Sequence, residues 1–314
     1  MQDIFLLNST EDTVVMKKII INIKGQLGNQ MFQYACAKKL QYIYGGEIII
    51  NEYYLKRYCP QYFKNSLTGF ELNGQVSCCD IKPPLLANEH NIIIRLLKKV
   101  VPNIYFSMAN KFNSLMWNSD RIYKKFPELI DREYIYLTGY FQSTRYFDDI
   151  KSIITKEFTP KKPLKEANID LYNRINSTES VCITIRRGDF MNNVNKKKLY
   201  ICNEEYFYKG IRLIKSIVPN AVLFVFSDDI EWCKANLNFD NNTFYESGID
   251  DVWEKLRLMS SCKHFIISNS TFSWWSQYLS ENPNKIVIAP SKWYNFGDNS
   301  QNDIYEEGWK LIEV

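Results

Sequence analysis

The sequence predicts an α/β protein built from two doubly wound domains facing a cleft, and three observations carry that expectation. The chain has 314 residues, more than one compact core ordinarily uses. It opens with a β-branched run, a glycine-containing loop, a helical stretch and a second β-branched run, the pattern of a βαβ unit. Its second half alternates short apolar strands with amphipathic helices, which is how a parallel sheet with helical crossovers reads.

In chain order, residues 18–23 form the first strand, 25–30 the loop, 31–44 the first helix and 47–51 the second strand. Ahead of them, residues 1–15 contain Asp3, Glu11 and Asp12 but no basic residue. They therefore lack the positive start of a secretory signal and read as a disordered leader. Residues 91–101 are amphipathic and basic, which suits either a surface helix packed on the domain or a helix resting on an anionic membrane surface. Two prolines and a lysine pair at 158–163 mark the division, giving an N-terminal domain over 1–160 and a C-terminal domain over 161–314. In the second domain the strands are 181–185, 221–227, 264–268 and 285–289, with helices at 203–217, 251–261 and 272–279.

Ligands of such a sheet lie beyond the carboxyl ends of its strands, so function is sought at residues 186–190, 227–229 and 269–273. Arg186, Arg187, Gly188 and Asp189 follow a strand directly. Arg186 and Arg187 as a fork there suit bidentate binding of phosphate oxygens, so both are candidate ligand-binding residues; a structural Arg–Asp ion pair is the alternative. Consecutive side chains on an extended segment point to opposite sides, so one arginine reaches a ligand while the other holds Asp189 or the loop. Ser270, Thr271 and Phe272 stand where a strand passes into a helix whose free N–H groups and dipole favour an anion; a plain capped helix is the structural alternative. Asp228 ends a strand, placed either to accept from a base edge or ribose or to cap the next helix. Asn29, in the first loop, is placed to contact a ligand across the cleft. Trp274 and Trp275 read as core.

Composition narrows the function. A formal charge of +4 spread over 39 basic and 35 acidic residues is too mild for a nucleic-acid partner. Eight cysteines include no CxxC pair, which fits reduced thiols rather than a zinc ribbon. No uncharged apolar run approaches the roughly 20 residues that span a bilayer, so a cytoplasmic protein is expected, with peripheral contact at the inner membrane if residues 91–101 serve that purpose. The two histidines, His90 and His264, supply neither a triad nor a metal cluster, and no DxD triplet occurs. A carboxylate-held cation therefore lacks its usual anchor, and the expected chemistry uses no metal and no cofactor.

GQLGNQMFQYA from Gly25, GYFQSTRYF from Gly139, ITIRRGDF from Ile183 and SNSTFSWW from Ser268, in this order, resemble the α-1,2-fucosyltransferases of glycosyltransferase family 11. The resemblance implies a GT-B-like fold and an inverting transfer of L-fucose from GDP-fucose to a hydroxyl of a galactose-containing glycan, with the donor a substrate rather than a cofactor. It further implies Arg186 at the β-phosphate, Asp228 at the guanine, Ser270, Thr271 and Phe272 at the nucleotide, and Asn29 at the diphosphate or sugar. Asp189 is the candidate base. The family's HxRRGDY pattern is altered here: Thr184 replaces the histidine and Phe190 the tyrosine.

Overall fold

The computed structural model describes residues 16–59, 63–88, 90–113, 115–118, 122–126, 133–297 and 302–314; the expected leader at 1–15 lies outside them. The first half contains strands β1 (Lys18–Asn22), β2 (Glu47–Asn51), β3 (Val76–Cys79), β4 (Leu115–Asn118) and β5 (Tyr134–Gly139). They form a parallel sheet in the order β3-β2-β1-β5-β4. Ile19 pairs with Ile48 and Ile21 with Ile50, and all four, which share one face of the sheet, are buried. Helices α1 (Leu27–Tyr44), α2 (Tyr53–Tyr58), α3 (Ile92–Val100) and α4 (Pro102–Asn113) connect these strands, and α5 (Lys151–Glu157) follows them.

The second half runs α6 (Ile169–Ser177), β6 (Glu179–Ile185), α7 (Asn193–Leu199), α8 (Glu204–Ile217), β7 (Ala221–Ser227), α9 (Ile230–Asn236), β8 (Thr243–Tyr245), α10 (Val252–Ser260), β9 (His264–Ile266), α11 (Thr271–Leu279), β10 (Val287–Pro290) and β11 (Lys310–Ile312). Its six strands, again parallel, take the order β11-β10-β9-β6-β7-β8. Every residue of β7, which lies between β6 and the edge strand β8, is buried. The stretch expected to divide the domains is tied back to the first half: Glu71 N–H donates to Thr159 and Lys161 N–H to Gly69.

One aromatic core joins the halves. The Phe32 ring of α1 lies 4.5 Å from Trp274 and 4.9 Å from Trp275 of α11. Trp275 stacks on Phe147 at 5.6 Å and meets the edge of Phe158 at 5.1 Å. Both tryptophans are fully buried, and each indole N–H is satisfied: Trp275 donates to the Gly28 carbonyl at 2.9 Å and Trp274 to Ile304 at 2.7 Å. Burying aromatics of this size contributes about 4–6 kcal/mol each as an upper bound, so α1 and α11 are held as one unit.

Two details differ from the expectation. Helix α1 starts at Leu27, so Gly28 and Asn29 form its first turn rather than a loop; the sequence obscures this because Gln26 provides no side-chain cap. Strands β3, β4, β8 and β11 are only three or four residues long, too short for periodicity to register. No helix among the described residues is long and apolar enough to cross a membrane.

Candidate functional site

A cavity of about 610 Å³ lies between the halves. Its lining leaves the carboxyl ends of seven strands, where an open parallel sheet binds ligands: Gly25 to Asn29 after β1, Tyr140 and Gln142 after β5, Arg186 and Asp189 after β6, Asp228 after β7, Glu246 and Asp250 after β8, Asn269 to Ser273 after β9, and Trp293 and Tyr294 after β10.

Two helices open onto it. Neither Gln26, the N-cap of α1, nor Ser270, the N-cap of α11, makes a side-chain cap bond, so first-turn N–H groups at both ends remain without a side-chain acceptor. The two ends touch at Gly28: a Cβ there would stand 2.5 Å from the Phe272 nitrogen and 2.6 Å from Thr271 Oγ1. Only glycine permits this approach, and it brings two positive dipole ends to one place. Asn29 is oriented by Gln142, whose amide donates to Asn29 Oδ1 at 2.8 Å. Gln142 itself follows Phe141, which is buried with a left-handed backbone, φ 52°.

Arg186 adds a full charge beside these helix ends. Its guanidinium is held between two carboxylates, pairing with Asp189 and, at 2.8 Å, with Asp228 Oδ2, and its buried Nε has no hydrogen-bond partner among the described residues. Asp228 Oδ1 accepts from the Arg187 N–H at 2.8 Å. Both Asp228 oxygens are thus engaged, and a ligand can use only their second lone pairs. Of Ser227-Asp228-Asp229, it is Asp229 that caps α9, accepting from Trp232 N–H.

Arg187 requires a correction to the expected donor-binding set. It does not line the cavity; its guanidinium lies 3.3 Å over the Trp232 ring and pairs with Asp229 at 3.3 Å. Side-chain alternation turns it to the other face of the loop, leaving Arg186 as the arginine of the cavity. The other expected residues, Asn29, Arg186, Asp189, Asp228, Ser270, Thr271 and Phe272, all line the one cavity.

Thr184, which stands where the motif histidine is expected, is buried in the cavity wall, and its Oγ1 accepts from Ser268 N–H at 3.0 Å. It fixes the start of the α11 approach to β6. Asn269, first residue of an Asn-Ser-Thr sequon, is equally buried and donates to the Leu199 and Trp293 carbonyls, both at 2.9 Å. His264 lies in β9, where its Nδ1 accepts from Ile286 N–H at 3.1 Å. Burial holds its imidazole below the ordinary value against the pull of Glu179, 3.5 Å from its Nε2, so it serves the packing of β9.

Sequence reasoning missed the group beneath Asp228. Glu246 is fully buried and accepts from Ser227 N–H and Lys255 Nζ, both at 2.9 Å. Burial pushes its carboxyl above the ordinary range against the pull of Lys255. It follows a three-residue strand in a polar stretch, and nothing in its sequence surroundings marks it. No group of three or more His, Cys, Asp or Glu able to hold a metal ion occurs among the described residues.

Known proteins agree with this architecture. The model of the family described as glycosyl transferase family 11 matches residues 18–313. The chain is 32% identical over 313 residues to alpha-1,2-colitosyltransferase of Escherichia coli, covering 95% of this chain and 100% of that one. It is 24% identical over 273 residues to galactoside alpha-(1,2)-fucosyltransferase 2 of Sus scrofa, covering 82% and 68%. Among solved structures, NodZ alpha-1,6-fucosyltransferase soaked with GDP-fucose superposes with a TM-score of 0.53 at 15% identity, over 87% of this chain and 95% of that one. At that identity the likeness speaks for the fold alone, a GT-B-like pair of doubly wound domains.

Proposed function

The chain belongs to glycosyltransferase family 11, and on that premise we propose that it transfers L-fucose from GDP-β-L-fucose to the 2-hydroxyl of a galactose in a glycan, forming an α-1,2 linkage. The observation that carries this reading is the convergence of Arg186 with the uncapped N-termini of α1 and α11 on one interdomain cavity. That is a cradle for a diphosphate whose charge grows as it leaves.

In the proposed reaction the acceptor oxygen bonds to the anomeric carbon while the bond from that carbon to the β-phosphate oxygen breaks, so β becomes α in one in-line displacement. The leaving GDP gains charge, which Arg186 and the helix N–H groups stabilise without a metal. The acceptor proton goes to Asp189, the most exposed carboxylate of the arginine loop, with 44% of its side chain accessible. Asp228 positions Arg186. Tyr140, Gln142 and Phe63, contributed by the first half, form the wall from which an acceptor approaches.

A second reading follows from the relative at 32% identity: a colitosyl group replaces fucosyl at the same site. Measuring GDP release from GDP-fucose and from GDP-colitose, with and without a β-galactoside such as lactose and with EDTA present, separates the possibilities. Acceptor-dependent release from GDP-fucose, with an α-1,2 product on linkage analysis, supports the first reading. Release from GDP-colitose alone replaces it with the second, loss of release on EDTA treatment overturns the metal-free chemistry, and a product of another linkage overturns the 2-hydroxyl assignment.

A further inference from the structure

Helix α3 carries its apolar stripe on the side that faces water. Ile94 turns inward and forms a small separate core with Ala87, Tyr105 and Ala109. On the outer face, Ile92 is 71%, Ile93 63%, Leu96 55% and Val100 71% exposed, and Ile104 of α4 is 59% exposed. Ile92, Leu96 and Val100 recur every four residues and form one row along α3, and Ile104 stands in the first turn of α4, beyond the non-helical Val101. An ordinary surface helix would present polar residues there.

The row stands in a segment whose charged residues are all of one sign. Residues 90–113 contain Arg95, Lys98, Lys99 and Lys111 and no acidic residue. Lys124 Nζ sits 4.9 Å over the Phe106 ring of α4, adding another cation beside the helix pair. On the helical wheel, Lys99 and Arg95 border the row on one edge. Lysine is depleted at protein–protein interfaces, whereas aliphatic side chains edged by Lys and Arg characterise helices that lie in a membrane interface. The segment is also placed for such a role. The loop into α3 leaves β3 at its carboxyl end and is tied down there, the Ala87 carbonyl accepting from Tyr54 Oη at 2.8 Å and the Leu86 carbonyl from Tyr105 Oη at 2.5 Å. This is the end of the first sheet from which the cavity loops emerge.

We propose that the outer face of α3 and the start of α4 docks on an anionic phospholipid surface, with Ile92, Leu96, Val100 and Ile104 entering the boundary between headgroups and acyl chains and Arg95 and Lys99 meeting lipid phosphates. Docked in this way, the protein holds its cleft close to the bilayer, where a membrane-borne acceptor would be presented.

The test is co-sedimentation of the full chain with vesicles of phosphatidylcholine alone and of phosphatidylcholine mixed with phosphatidylglycerol, at low and high salt. Binding should require phosphatidylglycerol and weaken with salt. The Leu96→Glu/Val100→Glu variant should lose at least about tenfold in partitioning, and Arg95→Gln and Lys99→Gln about fivefold each. All these residues are outside the cavity, so an unchanged thermal midpoint and unchanged GDP release with a soluble acceptor show that the variants are folded. Equal binding to both vesicle types, absence of binding, or binding undiminished in Leu96→Glu/Val100→Glu would overturn the proposal. Self-association abolished by the same substitutions, with no vesicle binding, would assign the face to a second copy instead.

Discussion

Gly28 and Phe272 meet across the two halves so closely that the first turn of α1 rests against the backbone nitrogen opening α11, with a distance of 2.5 Å left for any Cβ on Gly28. Gly28→Ala should therefore push the helix ends apart. Overpacking of this kind costs about 1–3 kcal/mol, and a displacement near 1 Å at a catalytic group costs on the order of 100-fold in rate. A lowered thermal midpoint together with a reduced kcat/KM is the expected outcome; wild-type values for both would show that the helix ends are not in contact in solution.

Arg186 and Arg187 are adjacent in sequence but perform different tasks in the structure. Arg186→Ala should lower kcat/KM on the order of 100- to 1000-fold, the typical loss of one donor to a developing oxyanion. Arg187→Ala loses an ion pair and a stack on Trp232, together worth about 1–2 kcal/mol. It should lower the unfolding midpoint more clearly than turnover. Steady-state kinetics paired with urea unfolding distinguishes them, and equal kinetic losses would contradict the outward placement of Arg187.

How far this was legible in the sequence depends on where each residue stands along the chain. Strands such as β1, β2, β6 and β7 are apolar runs, and the arginine loop and Asp228 follow β6 and β7 directly, while the Ser270–Phe272 turn is marked by its own hydroxyl residues ahead of a helix. Glu246 follows the three-residue β8, and Tyr140 and Gln142 flank Phe141, whose backbone is left-handed; neither feature has a periodic signature. Arg187 was half legible: alternation predicts that one arginine turns away, but only the position of Trp232 decides which. The contact of Gly28 with Phe272 joins residues far apart in sequence, and local patterns carry no information about it.

Asp189→Asn tests the base directly. The substitution keeps the size of the side chain and an acceptor oxygen for Arg186, so donor affinity should change little, while loss of general-base assistance typically lowers kcat about 100-fold or more. GDP binding by titration and kcat with a saturating acceptor give the two quantities. Near-normal turnover would remove Asp189 from the proton transfer and leave it only the orienting of Arg186.

Lys285 offers a pH test remote from the site. Burial, with a contribution from neighbouring Lys151, lowers its ammonium from the usual 10.5 to about 8, against the opposing pull of Glu306, and its Nζ donates to the Gln277 carbonyl. Between these two values the unfolded chain holds a proton that the folded chain has released. The contribution to stability is therefore present above pH 10.5 and is lost as pH falls through about 8. Stability should rise with pH across that window with a slope of up to about 1.4 kcal/mol per unit from this group. Lys285→Met removes the titration, so the stability difference between the two proteins, followed by urea unfolding, should narrow in the wild type's favour as pH increases. A difference independent of pH would mean that water reaches the ammonium in the folded protein.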